Sequence, residues 1–210
     1  MVERWYIEKK HEHFYKEAKK KGYRARSAFK LKQIQKKFNI IKTGDFVLDL
    51  GAAPGGWSQV ASELVGVKGK VLGVDLLDIA PLDGVTFFQG DMTRDETVEW
   101  IIDHMGDRKV DVVLSDMSPN ISGNYSMDQA QSVFLCMQCL KVCGLFLKNR
   151  GNLVCKVFEG EDINDLIVEM QDLFGNVKRF SPNASRKSSS ELYIICKNYK
   201  KQKPIEDSDG

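Results

Sequence analysis

The sequence lacks any long apolar run. Nowhere among its 210 residues does an apolar stretch approach the roughly 20 residues that a membrane-spanning helix needs. Its first ten residues mix charged and aromatic side chains and contain no apolar core of the kind found in a secretory signal. We therefore expect a cytoplasmic protein that does not enter a membrane.

The sequence also lacks a recognisable set of metal ligands. Five cysteines are present, and Cys136, Cys139 and Cys143 recur at i, i+3 and i+7 among apolar residues. That spacing is typical of the apolar face of a helix. Because no further ligand set at suitable spacing accompanies these thiols, we predict that they pack in the core and that the protein binds no metal.

A glycine-rich turn dominates the middle of the chain, where an apolar run with β character breaks and restarts as a helix across residues 47–59. In an open α/β sheet, such a turn lies at the carboxyl edge of the strands, where ligands bind. It lacks two phosphate signals: Trp57 replaces the lysine of a P-loop, and Ala53 replaces the second glycine of G-x-G-x-x-G. No Lys or Arg occurs between Phe46 and Glu63. The turn therefore predicts a small-molecule site and argues against a triphosphate.

An acidic residue completes this ligand signal. Asp75 lies 19 residues after Gly56, at the end of the next predicted strand, where an acidic side chain binds ribose hydroxyls. A glycine turn and a ribose acid without phosphate chemistry suggest S-adenosylmethionine as the cofactor.

Charge is distributed unevenly along the chain. The net charge is only +2, but residues 1–42 hold 14 Lys or Arg against 4 Asp or Glu. Such a basic face on an otherwise acidic protein is typical of polyanion binding. A solvated helix surface is the structural alternative. We predict that the arm binds RNA through a cluster of cations in its middle: Lys19, Lys20, Lys21, Arg24 and Arg26.

Strand and helix signals alternate after this arm. The predicted strands are 45–50, 70–75, 85–88, 110–115, 152–158, 177–181 and 190–197. Helical patterns cover 57–65, 94–105, 128–148 and 162–174. This alternation is typical of an α/β fold with a parallel sheet covered on both faces.

Three segments follow from this pattern. Residues 1–42, with helices over 6–20 and 26–38, form a basic helical arm packed on the main domain. Residues 43–198 form that domain. Residues 199–210 are polar and charged and should form a disordered tail.

Seven short motifs are distributed along the chain: Lys21-Gly-Tyr-Arg-Ala-Arg-Ser-Ala-Phe-Lys-Leu31, Asp49-Leu-Gly-Ala-Ala-Pro-Gly-Gly-Trp-Ser-Gln59, Asp75-Leu-Leu77, Gly90-Asp91, Ser115-Asp-Met-Ser-Pro-Asn120, Cys155-Lys-Val-Phe158 and Ser190-Glu-Leu-Tyr193. Together they resemble the FtsJ/RrmJ family of S-adenosylmethionine-dependent RNA 2′-O-ribose methyltransferases. They occur in family order and span roughly nine tenths of the chain, which a chance match to one turn would not produce. Within the family, the chain most resembles the enzymes that modify large-subunit ribosomal RNA.

The resemblance implies a Rossmann-like methyltransferase fold with a seven-stranded, mostly parallel sheet whose last strand is antiparallel. It also implies methylation of a ribose 2′-hydroxyl, expected to be that of a uridine, in ribosomal RNA within the large subunit, by a monomeric enzyme. The family's cofactor-binding positions correspond here to Gly55, Trp57, Asp75, Asp91 and Asp116. Asp49 could instead be a structural acid that bonds the N–H groups of the turn.

The resemblance further implies a catalytic tetrad of Lys30, Asp116, Lys156 and Glu191. A 2′-hydroxyl that attacks a sulfonium methyl must be oriented and must lose its proton. Lys156 could accept that proton when neutral or steer the hydroxyl when charged, and Lys30 could supply a second cation. Asp116 and Glu191 could orient the two ammonium groups. Taken alone, each residue also has a structural explanation, such as a lysine whose stem covers apolar surface.

Other functions stay open at this stage. Transfer RNA is the alternative substrate, because the tetrad specifies the reaction rather than the RNA. An RNA-binding protein with a vestigial cofactor fold is disfavoured by the complete tetrad and glycine turn. A small-molecule methyltransferase is disfavoured by the basic arm.

Overall fold

The computed structural model describes residues 16–184 and 190–200. Of the helix predicted over 6–20, residues 16–20 are helical and the rest lie outside the described residues, as does the predicted tail from residue 201 onward. Across the two described ranges, no helix is both long and apolar enough to cross a membrane.

The described chain alternates strands with helices, as the sequence predicts. The strands are β1 (Phe46–Leu50), β2 (Lys70–Asp75), β3 (Val85–Gln89), β4 (Val110–Ser115), β5 (Leu147–Phe158), β6 (Phe174–Phe180) and β7 (Glu191–Tyr199). The helices are α1 (Ala28–Phe38), α2 (Gly56–Val65), α3 (Asp95–Met105), α4 (Tyr125–Phe146) and α5 (Ile163–Leu173), with a short 3₁₀ turn at Gly66–Lys68.

Three elements begin at least three residues earlier than the sequence predicts, including β6, which begins at Phe174 rather than at residue 177. Helix α4 begins three residues early, because Asn124 caps it by accepting the backbone N–H of Met127. Strand β5 begins at Leu147 rather than at residue 152, since Leu147 already pairs with Val110. The polar segment that follows stays extended although Arg150 adopts a positive φ of 64°.

The strands form one sheet in the order β3-β2-β1-β4-β5-β7-β6. The pairs among β1 to β5 are parallel, whereas β7 runs antiparallel to both β5 and β6. The carboxyl ends of β1, β2, β4 and β5 therefore meet the beginning of β7 at one edge. Phe158 at the end of β5 is paired with Glu191 at the start of β7. The Rossmann-like α/β architecture with an antiparallel last strand is confirmed.

Helices cover the sheet on both faces. Helices α1 and α2 pack on one face, where Leu31 and Trp57 share a buried cluster with Val112 of β4. Helices α3, α4 and α5 pack on the other face, where Val113 of the same strand lies in a second cluster. Successive side chains of a strand point to opposite faces, so one strand supports both layers. The carboxyl edge of the strands therefore has α1 on one face of the sheet and α4 on the other face.

The cysteines lie where the sequence predicts them. Cys136, Cys139 and Cys143 are buried in the cluster under α4, and the other two cysteines are also buried and unbridged. Burial raises the pKa of the Cys143 thiol well above its usual value. These thiols therefore pack as small apolar groups.

Candidate active site

The glycine turn after β1 is shaped by close backbone contact. Gly51 has φ 72°, and a Cβ placed there would lie 2.5 Å from Cγ of Met117, in the segment that follows β4. Only glycine combines this backbone conformation with this approach. The turn after β1 and the segment that carries Asp116 are thereby held side by side.

A cavity of about 560 Å³ opens beside this turn at the carboxyl edge of the sheet. Cofactor sites in proteins have volumes of roughly 300–1,000 Å³ and combine apolar walls with a few polar groups. The cavity lining follows that description: Gly51, Ala53, Val74, Asp75, Leu76, Leu77, Gly90, Asp91, Met92, Thr93, Asp116, Met117, Ser118, Phe134, Leu135 and Gln138.

The carboxylate of Asp75 is held in one orientation by two backbone N–H groups. Its Oδ2 accepts the N–H of Ala53 in the glycine turn at 2.9 Å, and its Oδ1 accepts the N–H of Leu77 at 2.9 Å. A carboxylate has about four acceptor positions, so each oxygen of Asp75 retains capacity for a further donor. This arrangement suits the paired hydroxyls of a ribose.

Asp91 lies two residues beyond the end of β3 and also lines the cavity. The backbone N–H and the hydroxyl of Thr93 both donate to its Oδ1, at 2.9 and 2.8 Å. These two bonds lower the pKa of the Asp91 carboxyl, with a smaller contribution from Arg94. Asp91 is therefore an ionised acceptor that suits an exocyclic amino group.

The four tetrad residues come together at this same edge as two ion pairs. Lys156 Nζ lies 3.1 Å from Oδ1 of Asp116 and donates to the Asp116 carbonyl at 2.6 Å. Lys30 Nζ lies 2.9 Å from Oε2 of Glu191. Both lysines are buried, with about a tenth or less of each side chain exposed, which is unusual for lysine and places their charges within a shared low-dielectric region.

Glu191 links the two ion pairs electrostatically. Burial alone would raise the pKa of its carboxyl, but the ion pair and hydrogen bond with Lys30 outweigh burial, and Lys156 and Arg26 add to this effect. The pKa of Glu191 is thus lowered from its usual value. An ionised Glu191 then holds Lys30 in place.

Tyr193 is a site residue that sequence reasoning missed. Its hydroxyl donates to Oδ1 of Asp116 at 2.7 Å, and Lys30 Nζ lies 5.5 Å from the centre of its ring. Burial, followed by the charges of Asp116 and Glu191, raises the pKa of the phenol well above its usual value, which keeps it a donor. Its position two residues after Glu191 in a strand places both side chains on one face, and this signal could have identified it.

Two predicted cofactor residues lie outside the cavity lining. Trp57 is only 2% exposed; its indole N–H donates to the carbonyl of Ser27 at 2.9 Å, and its ring lies 5.5 Å from that of Tyr193. The side chain of Trp57 therefore anchors α1 to the domain, and its contact with the cofactor stays a prediction. Gly55 precedes α2 with φ 105° and lies under the side chain of Arg24.

Asp49 lies beneath the site on β1 and is fully buried. Its Oδ2 accepts the hydroxyl of Ser58 at 2.6 Å, while its Oδ1 has no hydrogen-bond partner among the described residues. Burial raises the pKa of Asp49 to about 7, with further contributions from the charges of Asp116 and Asp75. A backbone hydrogen bond from Ser58 opposes this rise, so Asp49 contacts an N–H at the start of α2 as well as the hydroxyl, and its role as a structural acid of the turn stays a prediction.

The predicted RNA-binding cations divide into two groups. Lys19, Lys20 and Lys21 are exposed, and Lys21 pairs with Glu17 at 2.6 Å. The guanidinium of Arg24 instead donates to the carbonyls of Ala80 and Pro81. Arg24 thus holds the protein's own backbone, and its contact with RNA stays a prediction.

Arg26 is the last of the predicted RNA-binding cations, and it lies beside the tetrad. Arg26 is half-buried and close enough to Glu191 to influence its pKa. Within residues 16–184 and 190–200, no group of three or more His, Cys, Asp or Glu side chains is arranged to hold a metal ion.

Comparison with known proteins places this geometry in context. Residues 23–199 match the model of the FtsJ-like methyltransferase family. A curated protein named ribosomal RNA large subunit methyltransferase E from Methanosarcina acetivorans is 51% identical over 188 residues, which cover 90% of this chain and 68% of that protein. A protein of the same name from Methanobrevibacter smithii is 44% identical, with both chains covered in full.

A solved structure supports the same relationship. A ribosomal RNA methyltransferase from Plasmodium falciparum superposes with a TM-score of 0.79 at 28% identity, covering 86% of this chain and 100% of that one. The family match spans all four residues of the tetrad and the whole cavity lining. This chain therefore belongs to the FtsJ-like methyltransferase family.

Proposed function

We propose that this protein transfers a methyl group from S-adenosylmethionine to the 2′-hydroxyl of a ribose, that of a uridine, in large-subunit ribosomal RNA. The observation that carries the proposal is the position of Lys156, whose ammonium is bonded to Asp116 at 2.6 and 3.1 Å. Asp116 also lines the cavity. A group able to contact a hydroxyl therefore adjoins a nucleoside-sized site.

The residues of the cavity fit S-adenosylmethionine. Asp75 offers two oriented carboxylate oxygens for the ribose, and Asp91 offers an ionised acceptor for the adenine amino group. Leu77 and Met92 supply apolar wall on this side. Gly55 and Trp57 would contact the cofactor through their backbone atoms at the start of α2. When bound, the cofactor supplies a methyl group on a positively charged sulfur that a hydroxyl can attack.

The tetrad would prepare the attacking hydroxyl. Lys156 is the group we assign to contact that hydroxyl and to accept or steer its proton, while Asp116 fixes the ammonium from two directions. Lys30, held by Glu191, would place a second positive charge near the nucleotide. Orientation of a nucleophile within a water-poor site supplies a large part of such rate enhancements.

The basic arm would bind the RNA backbone. Lys19, Lys20 and Lys21 are exposed close in sequence to α1, which carries Lys30. Arg26 lies near Glu191 and would contact a phosphate close to the reacting nucleotide. Phosphate contacts of this kind position an RNA without reading its sequence. The names of the curated relatives favour large-subunit ribosomal RNA as the polymer.

The test is transfer of a labelled methyl group to large ribosomal subunits, to naked ribosomal RNA and to transfer RNA. We expect label in the large subunit, in a nucleotide whose 3′ linkage resists alkaline hydrolysis, as a 2′-O-methyl group requires. Label only in transfer RNA would establish the alternative substrate. Label in a base would overturn the proposed chemistry. A Lys156→Ala variant measures the background level of methyl transfer.

The proposal also covers the protein's location in the cell, its oligomeric state and the division of its chain. We propose that it acts in the cytoplasm as a monomer, with residues 1–42 as the basic arm and residues from 43 onward as the catalytic domain. We include Tyr199 in this domain, because its side chain is buried in β7 against Phe174.

A further inference from the structure

The two walls of the site differ in charge. Residues 117–140, which include the segment after Asp116 and most of α4, contain no Lys or Arg. The opposite wall carries Arg26 and Lys30, with Lys19, Lys20 and Lys21 before them. Phosphates are bound by cations. An RNA strand between these walls would therefore turn its backbone toward the arm and its bases toward α4.

Tyr125 is one of two exposed aromatic residues of α4, and the other, Phe134, lines the cofactor cavity. Tyr125 is 55% exposed, and its hydroxyl donates to the carbonyl of Glu159, which directly follows β5. The N–H of Glu159 in turn donates to the carbonyl of Ser190 at 2.8 Å. Since Ser190 precedes Glu191, two hydrogen bonds connect the Tyr125 hydroxyl to the strand that carries a tetrad residue.

The surroundings of Tyr125 hold its ring in position. The turn at Gly160 lies directly on α4, because a Cβ at Gly160 would be 2.4 Å from Cγ of Gln129. On the other side, Asp128 accepts the N–H and the hydroxyl of Ser122 at 2.8 and 2.7 Å. A ring whose polar tip and backbone are both fixed loses little conformational freedom when a flat ligand covers it.

We propose that Tyr125 is a stacking platform for a nucleobase of the substrate RNA, next to the nucleotide whose ribose reaches Lys156; this inference rests on the proposed function. Ile121, which is 66% exposed, would extend the apolar surface. Every base has a face that stacks on an aromatic ring, so the platform needs no particular sequence. Glu159 and Glu161 are exposed nearby and disfavour phosphate at this wall.

The test measures equilibrium binding of single-stranded oligouridylate without cofactor, so that no transfer occurs. Tyr125→Ala should weaken binding by about 5- to 150-fold, the range seen for alanine replacement of a base-stacking aromatic residue. Tyr125→Phe keeps the ring and should stay within about threefold of wild type, since stacking rather than the hydroxyl provides the contact. Leu145→Ala, an exposed position at the other end of α4, is the matched control and should leave binding unchanged.

A matched oligomer that lacks bases separates stacking from other effects. The wild type should bind the abasic oligomer more weakly, and Tyr125→Ala should then make no further difference. The dependence of binding on salt should be the same for wild type and Tyr125→Ala, because stacking releases no counterions. Thermal melting of each variant identifies any loss of folding, and the Phe variant tests the ring independently.

The outcomes distinguish this inference from the proposed function. If the wild type methylates RNA while Tyr125→Ala binds both oligomers with wild-type affinity, the platform is overturned and the function stands. If the wild type binds RNA through Tyr125 but labels no ribose in any RNA, the proposed function is overturned and the platform remains. An equal loss on the abasic oligomer would also overturn the platform.

Discussion

The two halves of the site hold their carboxylates in different ways. On the cofactor side, Asp75 and Asp91 each accept an N–H from a residue two positions later in the chain. In the tetrad, Glu191 is held by Lys30, which is 161 residues distant, and Asp116 by Lys156 and Tyr193, which are 40 and 77 residues distant. The cofactor side is thus held mainly by local bonds, with one bond from Ala53 to Asp75 across 22 residues, whereas the tetrad is held by long-range packing.

This difference separates binding from catalysis in physical terms. Local turns form with little dependence on distant elements, whereas the tetrad requires that α1 pack on the sheet and that β7 insert beside β5. Trp57 and Tyr193 connect these two requirements, because their rings lie 5.5 Å apart and Trp57 also bonds the residue before α1. We therefore expect some variants to lose catalysis while they retain the cofactor.

The largest difference between loss of catalysis and loss of binding is expected for Lys156→Ala. Methyl transfer should fall by about 10²- to 10⁴-fold, the usual contribution of a general base, with far smaller changes in cofactor and RNA binding. Single-turnover transfer at saturating cofactor and RNA measures this effect. Lys148→Ala, an exposed lysine on the same strand, is the control. A transfer rate near that of wild type in Lys156→Ala would remove this residue from the mechanism.

Lys156→Arg sharpens the same test. Arginine keeps the positive charge but cannot accept a proton at ordinary pH. An inactive variant would favour a base or a strict geometric role, whereas substantial activity would favour electrostatic steering of the hydroxyl. Because Asp116 binds this ammonium through two contacts, cofactor affinity should be measured alongside the rate.

The second prediction concerns Asp49, which lies beneath both halves. Its pKa is about 7 in the folded protein, raised from 3.8, so the folded state binds more protons between these values than the unfolded chain. The contribution of Asp49 to stability should therefore be greatest below the lower value and should be lost as pH rises through about 7. A shift of about three units corresponds to about 4 kcal/mol at most.

Asp49→Asn removes this titration. The free energy of unfolding of the variant, minus that of wild type, should rise with pH across the same window. Urea unfolding at a series of pH values measures it, and Asp78→Asn, at an exposed carboxyl, is the control. Parallel pH profiles for Asp49→Asn and wild type would contradict the raised pKa.

The third prediction tests the cofactor side. Asp75→Ala should weaken S-adenosylmethionine binding by about 1.5–3 kcal/mol, since hydrogen bonds to a charged acceptor are lost. The fold should survive, because the sheet does not depend on this side chain. Calorimetric titration measures the affinity, with Asp78→Ala as the control outside the cavity lining. Unchanged affinity in a folded Asp75→Ala variant would exclude the assigned ribose contact.

The smallest effect is expected from the exposed lysines of the arm. Replacing Lys19, Lys20 and Lys21 with Glu should flatten the salt dependence of RNA binding by about 2 in the log–log slope, at about 0.7 per lost single-strand phosphate contact. Cofactor affinity should not change. The control reverses the exposed Lys68, Lys109 and Lys141, which lie outside the arm. If both triple variants show the wild-type slope, the arm is only a solvated surface.

Much of the fold could be predicted from the sequence because its signals are local. The β1 turn, β2 and β4 agree with prediction to within a residue, since alternating apolar patterns and glycines report directly on strand and turn. The start of β5 differs from the prediction because its polar residues resemble a loop, whereas the strand already begins where Leu147 pairs with Val110. The identity of the tetrad came from motif order rather than from any single residue.

The sequence by itself determined most strand positions, the glycine turn and the acidic residues at the end of β2 and just after β3, because these depend on periodicity and mainly on bonds within a few residues. Tertiary structure decided the rest. It directed Arg24 to the carbonyls of Ala80 and Pro81, placed Trp57 in the core, and brought the Tyr193 hydroxyl to Asp116. The physical reason is that a long side chain can reach several partners, and which partner it meets is fixed only when distant strands and helices close around it.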